Sequence, residues 1–397
     1  MSSEWKTYTV QELIDAGMLD EPLDGNHGSI HPKASDYVSA GVPFIMANDL
    51  VNGKVDYANC AYITEAQAST LRKGFAKPGD VLLTHKATIG RTAIVSDEYD
   101  TIILTPQVTY YRVKKGISNR YLKYYFDSST FQQLFANWAG SGSTRAYLGI
   151  TAQRKLPIVL PPYEVQLKIA KCCGVLDDKI YQNQRINDNL QQQAMALYAE
   201  MFLNSSDNNV TSGTLSDIAV ITMGQSPSGS SYNEDGVGEV FYQGRAEFGF
   251  RFPKRRLFTT EPKRMAEAGD VLLSVRAPVG DLNMAYERCC IGRGLGAIHS
   301  KTGHSSFVLY TMFALRSQLN VFNGEGTVFG SINRDALNAI PIDVPLVTKI
   351  DQFEAVAHPI DELIRTNYEE NCRLEAIRNS LLPKLMSGEI DVSAIRL

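Results

Sequence analysis

Hydroxyl and cationic side chains that could hold a phosphate recur at two places in this chain. The segment GDVLL occurs at residues 79–83 and again at residues 269–273. The residues that follow it are Thr84 and Lys86 in the first copy, and Ser274 and Arg276 in the second. Hydroxyl and cationic groups at the end of a strand are suited to binding DNA phosphates. The recurrence therefore predicts two DNA-binding surfaces.

Side chains suited to reading base edges lie near both copies. Residues 241–245, FYQGR, supply Gln and Arg, which can form bidentate hydrogen bonds with bases, and residues 250–256, FRFPKRR, alternate cations with aromatic rings. The candidate DNA-binding residues are Asn48, Thr84, His85, Lys86, Arg91 and Arg145 in the first copy, and Tyr242, Gln243, Arg245, Lys254, Arg255, Ser274 and Arg276 in the second. The alternative for each is an ordinary solvated surface group.

The motifs that could indicate catalysis are incomplete. Residues 160–163, LPPY, are similar to the N-P-P-Y loop of adenine methyltransferases, but their leading Leu cannot accept a hydrogen bond from a target amino group. Residues 292–296, GRGLG, are a lone glycine cluster with no helix pattern behind it, whereas a nucleotide-binding loop opens a helix. His27 and His31 lie in a loop flanked by Gly and Pro, which favours a solvated turn over a metal site. We expect no catalytic site, metal or cofactor in this chain.

Composition limits the class of protein. The formal net charge of −4 excludes a broadly basic DNA-binding protein, so any such surface must be local. The six cysteines include no C-x-x-C spacing, which argues against a disulfide framework or a zinc site. No segment approaches the roughly 18 uncharged apolar residues of a membrane span, and no signal-peptide pattern opens the sequence. We expect a cytoplasmic protein without membrane contact.

An internal repeat organises the chain. Residues 75–95 align without a gap to residues 265–285, and residues 142–162 match residues 326–346. These offsets far exceed the roughly 20 to 50 residues of solenoid repeats, so they indicate a duplication. We predict two tandem mixed α/β domains, at residues 1–162 and 204–346, each followed by a long helix.

The two long helices are predicted at residues 163–203 and 347–390. Each has a heptad seam that is apolar at its ends and polar in its centre, with Asn183 and Asn187 in the first helix and Asn367 in the second. Polar seam positions fix register at a cost in stability, so we expect the helices to pair as an antiparallel coiled coil in an α+β fold with pseudo-two-fold symmetry. The alternative is two unrelated solvent-bridging helices. We further expect Pro359 to kink or restart the second helix, Pro383 to interrupt it and Gly388 to end it.

The pattern as a whole resembles the specificity subunit of type I restriction–modification systems, over essentially the full chain. The segments that carry the resemblance are LPPYEVQLKIAKCCGVLDDKIYQNQRINDNLQQQAMALYAEMF (residues 160–202), MGQSPSGSSYNEDGVGEVFYQG (residues 223–244), the two GDVLL segments with their Thr or Ser, CIGRGLGAI (residues 290–298) and LLPKLMSGEI (residues 381–390).

The resemblance implies a role in choosing a DNA site. It implies that residues 1–162 and 204–346 are target-recognition domains, each of which reads one half of a split, asymmetric sequence in double-stranded DNA, with the paired helices setting the gap. It implies two methyltransferase subunits, which carry S-adenosylmethionine and modify adenine N6, and ATP- and Mg-dependent restriction subunits that bind through them. No cofactor is implied for this chain. The alternatives are a coiled-coil protein-interaction adaptor that reads no DNA and an enzyme with a cofactor at residues 292–296.

Overall fold

The chain forms two compact units. The computed structural model describes residues 5–140, 146–204, 210–324, 330–392 and 395–396. Unit 1 comprises Met1–Ile180 and Cys372–Leu397, and unit 2 comprises Tyr181–Asn371. Each unit contains β-sheets, short helices and part of each of two long helices, which confirms the predicted α+β class.

Unit 1 is built around a sheet with the strand order β2-β11-β8-β9-β5-β4, beside a smaller sheet β6-β3-β10-β7 and the pair β1-β12. The strands are β1 (Lys6–Thr9), β2 (Leu23–Asp24), β3 (Val42–Ile45), β4 (Leu50–Val51), β5 (Gly53–Val55), β6 (Ala61–Ile63), β7 (Phe75–Ala76), β8 (Val81–Lys86), β9 (Thr88–Ile94), β10 (Ile102–Leu104), β11 (Val108–Tyr111) and β12 (Pro157–Leu160). The helices are α1 (Val10–Asp15), α2 (Glu65–Ala68), α3 (Asn119–Asp127), α4 (Ser129–Trp138), α5 (Ile150–Gln153) and the first part of α6 (Tyr163–Tyr198).

The repeated GDVLL segment forms the centre of the larger sheet in unit 1. Val81, Leu82 and Leu83 in β8 are fully buried, because both faces of the strand are covered. Ser118 caps α3, because its hydroxyl accepts a hydrogen bond from an amide in the first turn of the helix. Asp127, at the end of α3, accepts a hydrogen bond from the Thr92 hydroxyl in β9, which ties the helix to the sheet.

Unit 2 repeats this plan with the sheets β14-β22-β19-β20 and β15-β17-β16-β21-β18 and the pair β13-β23. The strands are β13 (Val210–Thr214), β14 (Ala219–Met223), β15 (Tyr232–Asn233), β16 (Glu239–Tyr242), β17 (Phe258–Thr259), β18 (Met265–Ala266), β19 (Val271–Ser274), β20 (Leu282–Met284), β21 (Cys289–Ile291), β22 (Leu295–Ser300) and β23 (Pro341–Pro345). The helices are α7 (Leu215–Ile218), α8 (Ser305–Ala314), α9 (Arg316–Asn320), α10 (Arg334–Asn338) and α11 (Val347–Met386), whose last part lies in unit 1.

The two long helices pair through the predicted polar seam. In unit 2, the Asn183 side-chain amide donates to the Asn371 side-chain oxygen at 2.9 Å, and that of Asn367 donates to the Asn187 oxygen at 2.8 Å. Residue numbers rise along α6 as they fall along α11, so the pairing is antiparallel, as predicted. In unit 1, Arg378 of α11 donates to Asp177 of α6 at 2.6 Å.

Neither proline of α11 interrupts or restarts the helix. The helix continues through Pro359 and Pro383, so the expectation that they restart or interrupt it is wrong. Leu382 and Leu385 flank Pro383 and are buried in the core of unit 1, and burial of two leucines outweighs one missing backbone hydrogen bond. The helix ends before Gly388, whose φ of +73° suits a residue that terminates a helix.

Candidate nucleic-acid interface

The loop after the repeated strand is held by the same backbone hydrogen bonds in both units. In unit 1, the Ala87 amide donates to Ala146 at 3.1 Å, which pairs the loop beside Lys86 with the segment before α5. In unit 2, the Ala277 amide donates to Gly330 at 3.0 Å, which pairs the loop beside Arg276 with the segment before α10. Lys86 and Arg276 therefore occupy corresponding places and are exposed.

The two predicted hydroxyls hold the hairpins that follow them. The buried Thr84 hydroxyl accepts a hydrogen bond from the Arg91 amide at 2.9 Å. The buried Ser274 hydroxyl accepts from the Asp281 amide at 2.9 Å and donates to the Pro278 carbonyl at 2.8 Å. Both side chains position the adjoining cations while remaining inside the protein.

His85 is buried beneath the loop of unit 1. Its Nδ1 lies 3.1 Å from the Leu148 carbonyl oxygen, so Nδ1 carries the proton that is donated. Burial is the main cause that lowers the pKa of His85 to about 4, and the ring is neutral at pH 7. Its Nε2 is buried without a hydrogen-bond partner among the described residues and lies 3.9 Å from an oxygen of Asp24. His85 thus supports the loop that carries Tyr147, whose ring is half exposed above it.

Asp24 is the charged group at the centre of this region of unit 1. Burial raises the pKa of its carboxyl, but hydrogen bonds and charges from Lys73 and His27 outweigh that effect and leave the pKa below its ordinary value. The His27 ring contacts the same carboxylate at 2.9 Å. The carboxylate is therefore neutralised by its own neighbours.

Two of the three remaining candidates of unit 1 are exposed. Asn48 and Arg91 present their side chains to solvent, as Lys86 does. Arg145 lies outside the described residues. Asn48 lies three residues after β3, in the 3-10 turn Ala47–Asp49. Arg245 lies three residues after β16 in unit 2, in the turn Arg245–Glu247, so the two candidates have corresponding positions.

The candidates after β16 divide into a buried and an exposed part. Tyr242 is 1% exposed and belongs to the sheet, and burial raises the pKa of its hydroxyl. Gln243 is exposed next to it, and its backbone carbonyl accepts a hydrogen bond from the Gly294 amide at 3.2 Å. Arg245 forms an ion pair with Asp281, at the end of the hairpin that begins at Ser274. Gln243, Arg245 and the Arg276 hairpin are thereby brought together on unit 2.

The cation–aromatic segment after Arg245 also divides into two parts. Lys254 is exposed, and Arg255 forms an ion pair with Glu287 while its guanidinium lies 5.6 Å from the centre of the Tyr286 ring. Arg251 is only 2% exposed and is bound inside unit 2. Lys254 and Arg255 are therefore available to a partner, whereas Arg251 anchors the segment.

Arg293 is a residue that the sequence analysis missed. It lies between Gly292 and Gly294, whose backbone packs against residue 243 so closely that a Cβ on Gly294 would lie 2.8 Å from the Gln243 carbonyl oxygen. The glycines thus serve a close internal contact, and the exposed Arg293 is held beside Gln243. The signal available in the sequence was a cation between two glycines directly after a strand.

Two further classes of site were tested against the structure. Within the described ranges, no group of three or more His, Cys, Asp or Glu residues is placed to hold a metal ion. In the same ranges, every helix is too short or too polar to cross a membrane.

The chain is similar to specificity subunits of type I restriction enzymes. The model of the type I restriction modification DNA specificity domain matches residues 2–192. The putative type I restriction enzyme MjaX specificity subunit of Methanocaldococcus jannaschii is 28% identical over 374 residues, covering 89% of this chain and 88% of the relative. The type I restriction enzyme MjaIX specificity subunit of the same organism is 23% identical over 425 residues, covering 98% and 95%.

One solved structure has the same fold. The crystal structure of the S subunit of a type I restriction-modification system from M. genitalium matches with a TM-score of 0.54 and 14% sequence identity, over 96% of each chain. The similarity at this level of identity concerns the fold alone.

Proposed function

Because the chain belongs to the family of type I restriction–modification specificity subunits, we propose that it reads a bipartite, asymmetric site in double-stranded DNA. Subunits of this family are not enzymes, so the chain is the non-catalytic subunit of a DNA adenine-N6 methyltransferase and site-specific endonuclease complex. In this proposal, residues 1–162 and 204–346 are the two target-recognition domains, and residues 163–203 and 347–390 form the helices that set the gap between the half-sites.

One structural observation carries the proposal of two unlike half-sites. The same backbone positions bear different exposed side chains in the two units: Lys86 corresponds to Arg276, and Asn48 corresponds to Arg245. Arg favours guanine edges in the major groove, whereas Asn favours adenine edges. A common framework with different side chains can place two readers in the same way while each prefers its own bases.

The proposed partners follow from the family. The chain would bind two methyltransferase subunits, which carry S-adenosylmethionine, and through them restriction subunits, which use ATP and Mg. No cofactor is proposed for the chain itself. The exposed groups proposed to contact DNA are Asn48, Lys86, Arg91, Gln243, Arg245, Lys254, Arg255 and Arg276, with Arg145 added from the sequence; Thr84, His85, Tyr242 and Ser274 would support them from inside the domains.

The acidic balance of the chain is consistent with this role if methyltransferase subunits supply much of the phosphate contact. The slope of log K against log salt counts the phosphates neutralised. We therefore expect that slope to become steeper when the methyltransferase is added to the chain. An unchanged slope would count against shared phosphate binding.

The decisive experiment maps methylation directed by this chain. The chain is co-expressed with the methyltransferase encoded beside it, and methylated adenines are located across a host chromosome by long-read sequencing. A split motif with two unlike halves and a constant gap is the expected result. The methyltransferase expressed alone is the control. A stable complex that adds no methylation would overturn the proposal in favour of an adaptor that reads no DNA.

A further inference from the structure

A cleft of about 630 Å³ in unit 2 has two cationic side chains on its walls. Arg276 and Arg293 both line the cleft, together with the apolar residues Met223, Val275 and Ile332. The lining contains no acidic residue. The cleft therefore has the composition of a site for an anion.

The backbone around Arg293 is held by several hydrogen bonds. The Gly292 amide donates to the Tyr242 carbonyl at 2.8 Å, and the Arg293 amide donates to the Ser226 hydroxyl at 3.2 Å. Gly292 must be glycine, since a Cβ there would lie 2.9 Å from the Cα of Gln243. These contacts fix the place from which the Arg293 side chain extends. The glycine-rich turn is therefore a rigid support for a cation.

The backbone around Arg276 is connected to the same turn. The Val275 amide donates to the Gly294 carbonyl at 3.0 Å, and the Ile332 amide donates to the Val275 carbonyl at 3.1 Å. Val275 and Gly294 are the immediate neighbours of the two arginines in the chain. One hydrogen bond thus links the segments that carry Arg276 and Arg293.

Within the described part of unit 2, no acidic side chain pairs with either arginine, whereas Arg245 and Arg288 have acidic partners. Arg245 pairs with Asp281, and Arg288 pairs with Glu239 at 3.0 Å. A guanidinium that is planar and always charged binds the oxygens of a phosphate with two parallel hydrogen bonds. Two such groups at one cleft, without acids of their own, are suited to one phosphate between them.

Unit 1 has a different residue at the position that corresponds to the lining residue Met223. Gly224 follows Met223 and Gly25 follows Asp24, and a Cβ on either glycine would collide with a carbonyl oxygen, of Gly292 and of Leu104 respectively. The residue before each glycine ends the edge strand of its sheet, β14 in unit 2 and β2 in unit 1. Asp24 therefore replaces the apolar Met223. In unit 1 this position holds the Asp24 carboxylate with its partners Lys73 and His27, so the apolar lining of the unit 2 cleft has no counterpart there.

We propose that this cleft of unit 2 binds one phosphate of the DNA backbone, held between Arg276 and Arg293 beside the base-reading Gln243. The inference rests on the proposed function and adds a contact that carries no sequence information. The Gly294 amide, next to Arg293, donates a hydrogen bond to the Gln243 carbonyl at 3.2 Å. A phosphate held by Arg293 would therefore fix the position of Gln243 along the duplex.

The test uses the reconstituted complex with methyltransferase and a duplex that carries the mapped site. Single phosphates of the half-site read by unit 2 are replaced by neutral methylphosphonates, one at a time. We expect one position at which the replacement weakens binding about tenfold, because a charge-assisted hydrogen-bond pair is lost. In the double variant Arg276→Ala with Arg293→Ala, methylphosphonate replacement at that position should no longer affect binding, whereas replacement at every other position should act as in the wild type.

The salt dependence gives a second readout. The double variant should reduce the magnitude of the slope of log K against log salt by about 0.9, because the phosphate then has no arginine to neutralise it. Each single variant keeps one arginine at the phosphate and should reduce the slope by less. Arg276→Lys and Arg293→Lys keep the charge and should keep the slope. Arg288→Ala removes an exposed arginine that already has acidic partners, so it serves as the matched control and should change nothing. The methylation motif should stay the same throughout.

Three results would contradict the inference in different ways. In the first, the wild-type complex binds specifically and yet has no phosphate at which the methylphosphonate effect is lost in the double variant. That result refutes the phosphate contact but not the proposed function. In the second, inorganic phosphate raises the melting temperature more than chloride does at equal ionic strength, with the difference lost in the double variant. If the methylphosphonate scan also showed no sensitive position, the cleft would be a site for a small anion instead. A wild-type complex without specific binding refutes the proposed function itself.

Discussion

Arg251, in the segment that carries Lys254 and Arg255, donates a hydrogen bond of 2.7 Å to Asp361 in α11. The Tyr310 hydroxyl of α8 donates to the same carboxylate at 2.9 Å. Unit 1 contains a matching pair, in which the Tyr124 hydroxyl of α3 donates to Asp177 of α6 at 2.7 Å. Each unit therefore attaches its own domain helix to a long helix through a tyrosine and an aspartate, with a cation that comes from a different element.

The first prediction concerns this buried ion pair of unit 2. Arg251→Ala leaves the carboxylate of Asp361 buried with Tyr310 as its remaining partner, and we expect it to lower the free energy of unfolding of unit 2 by about 3 to 5 kcal/mol. The double variant Arg251→Met with Asp361→Leu replaces both charges by apolar groups and should lose much less. Urea denaturation followed by circular dichroism measures the effect.

A built-in control distinguishes the units in that measurement. The two tryptophans, Trp5 and Trp138, both belong to unit 1, so their fluorescence reports unit 1 alone. Their transition should be unchanged in Arg251→Ala if the loss is confined to unit 2. An Arg251→Ala protein with wild-type stability would show that the pair contributes nothing.

The second prediction concerns the polar seam of the paired helices. Asn187→Leu removes the acceptor of the Asn367 amide and leaves that buried group unpaired, which should destabilise unit 2 by about 1 to 3 kcal/mol. The double variant Asn187→Leu with Asn367→Leu should recover the loss, because neither polar group remains buried alone. Asn189→Leu, at an exposed position of the same helix, is the matched control and should shift stability by no more than about 0.5 kcal/mol. Equal effects at residues 187 and 189 would refute the role of the seam.

The third prediction separates base reading from phosphate binding on unit 2. Gln243→Ala should reduce discrimination at one position of one half-site by about 1 to 3 kcal/mol, because a bidentate contact to a base is lost. Lys254→Ala should weaken binding to all sequences alike and make the salt slope shallower by about 1. Competition binding with a panel of single-base variants of the site measures both. Loss of methyltransferase binding in Gln243→Ala would instead identify Gln243 as a packing residue.

The fourth prediction concerns acid stability of unit 1. The pKa of His85 is lowered to about 4, chiefly by burial, whereas the unfolded chain titrates near 6.5. As the pH falls from about 6.5 to 4, the unfolded state takes up a proton that the native state does not. Stability present above pH 6.5 should therefore be lost across that window, by about 3 kcal/mol in all.

Tryptophan fluorescence of unit 1 as a function of urea and pH measures this loss. His85→Gln removes the titrating group and should flatten the pH dependence between 4 and 6.5. Asp24 has a lowered pKa, so its contribution is present above its ordinary value near 3.8 and is lost only below the His85 window. An unaltered pH profile in His85→Gln would contradict the assignment of the neutral, buried ring.

The sequence predicted the parts of this fold that depend on periodicity and repetition. The duplicated GDVLL segment identified a repeated strand, and the asparagines of the heptad seams identified helices that pair. The prediction for Pro383 was wrong because sequence rules include the cost of the missing hydrogen bond but not the burial of Leu382 and Leu385 in the core. Burial in the folded protein keeps α11 continuous through Pro383, and the local sequence does not show which residues will be buried.

The candidate site was harder to predict than the fold for a related reason. Thr84 and Ser274 have suitable chemistry, but their hydroxyls are bonded to amides seven residues further along the chain, so hairpin geometry directs them inward. Arg293 was not predicted as a binding residue, because the glycines on either side of it were compared only with those of a cofactor-binding loop. Its position depends on contact with Gln243, which is distant in sequence, and only the folded chain reveals that contact.

Unit 1 is assembled from two segments that are far apart in the chain, one up to Ile180 and one from Cys372. Leu382 and Leu385 of the second segment are buried in the same core as Val10 of the first. Unit 2, in contrast, is continuous from Tyr181 to Asn371. Domains generally fold as units, and the second segment of unit 1 is translated after the whole of unit 2. The unit whose translation begins second is therefore the first to have every residue that its native state needs.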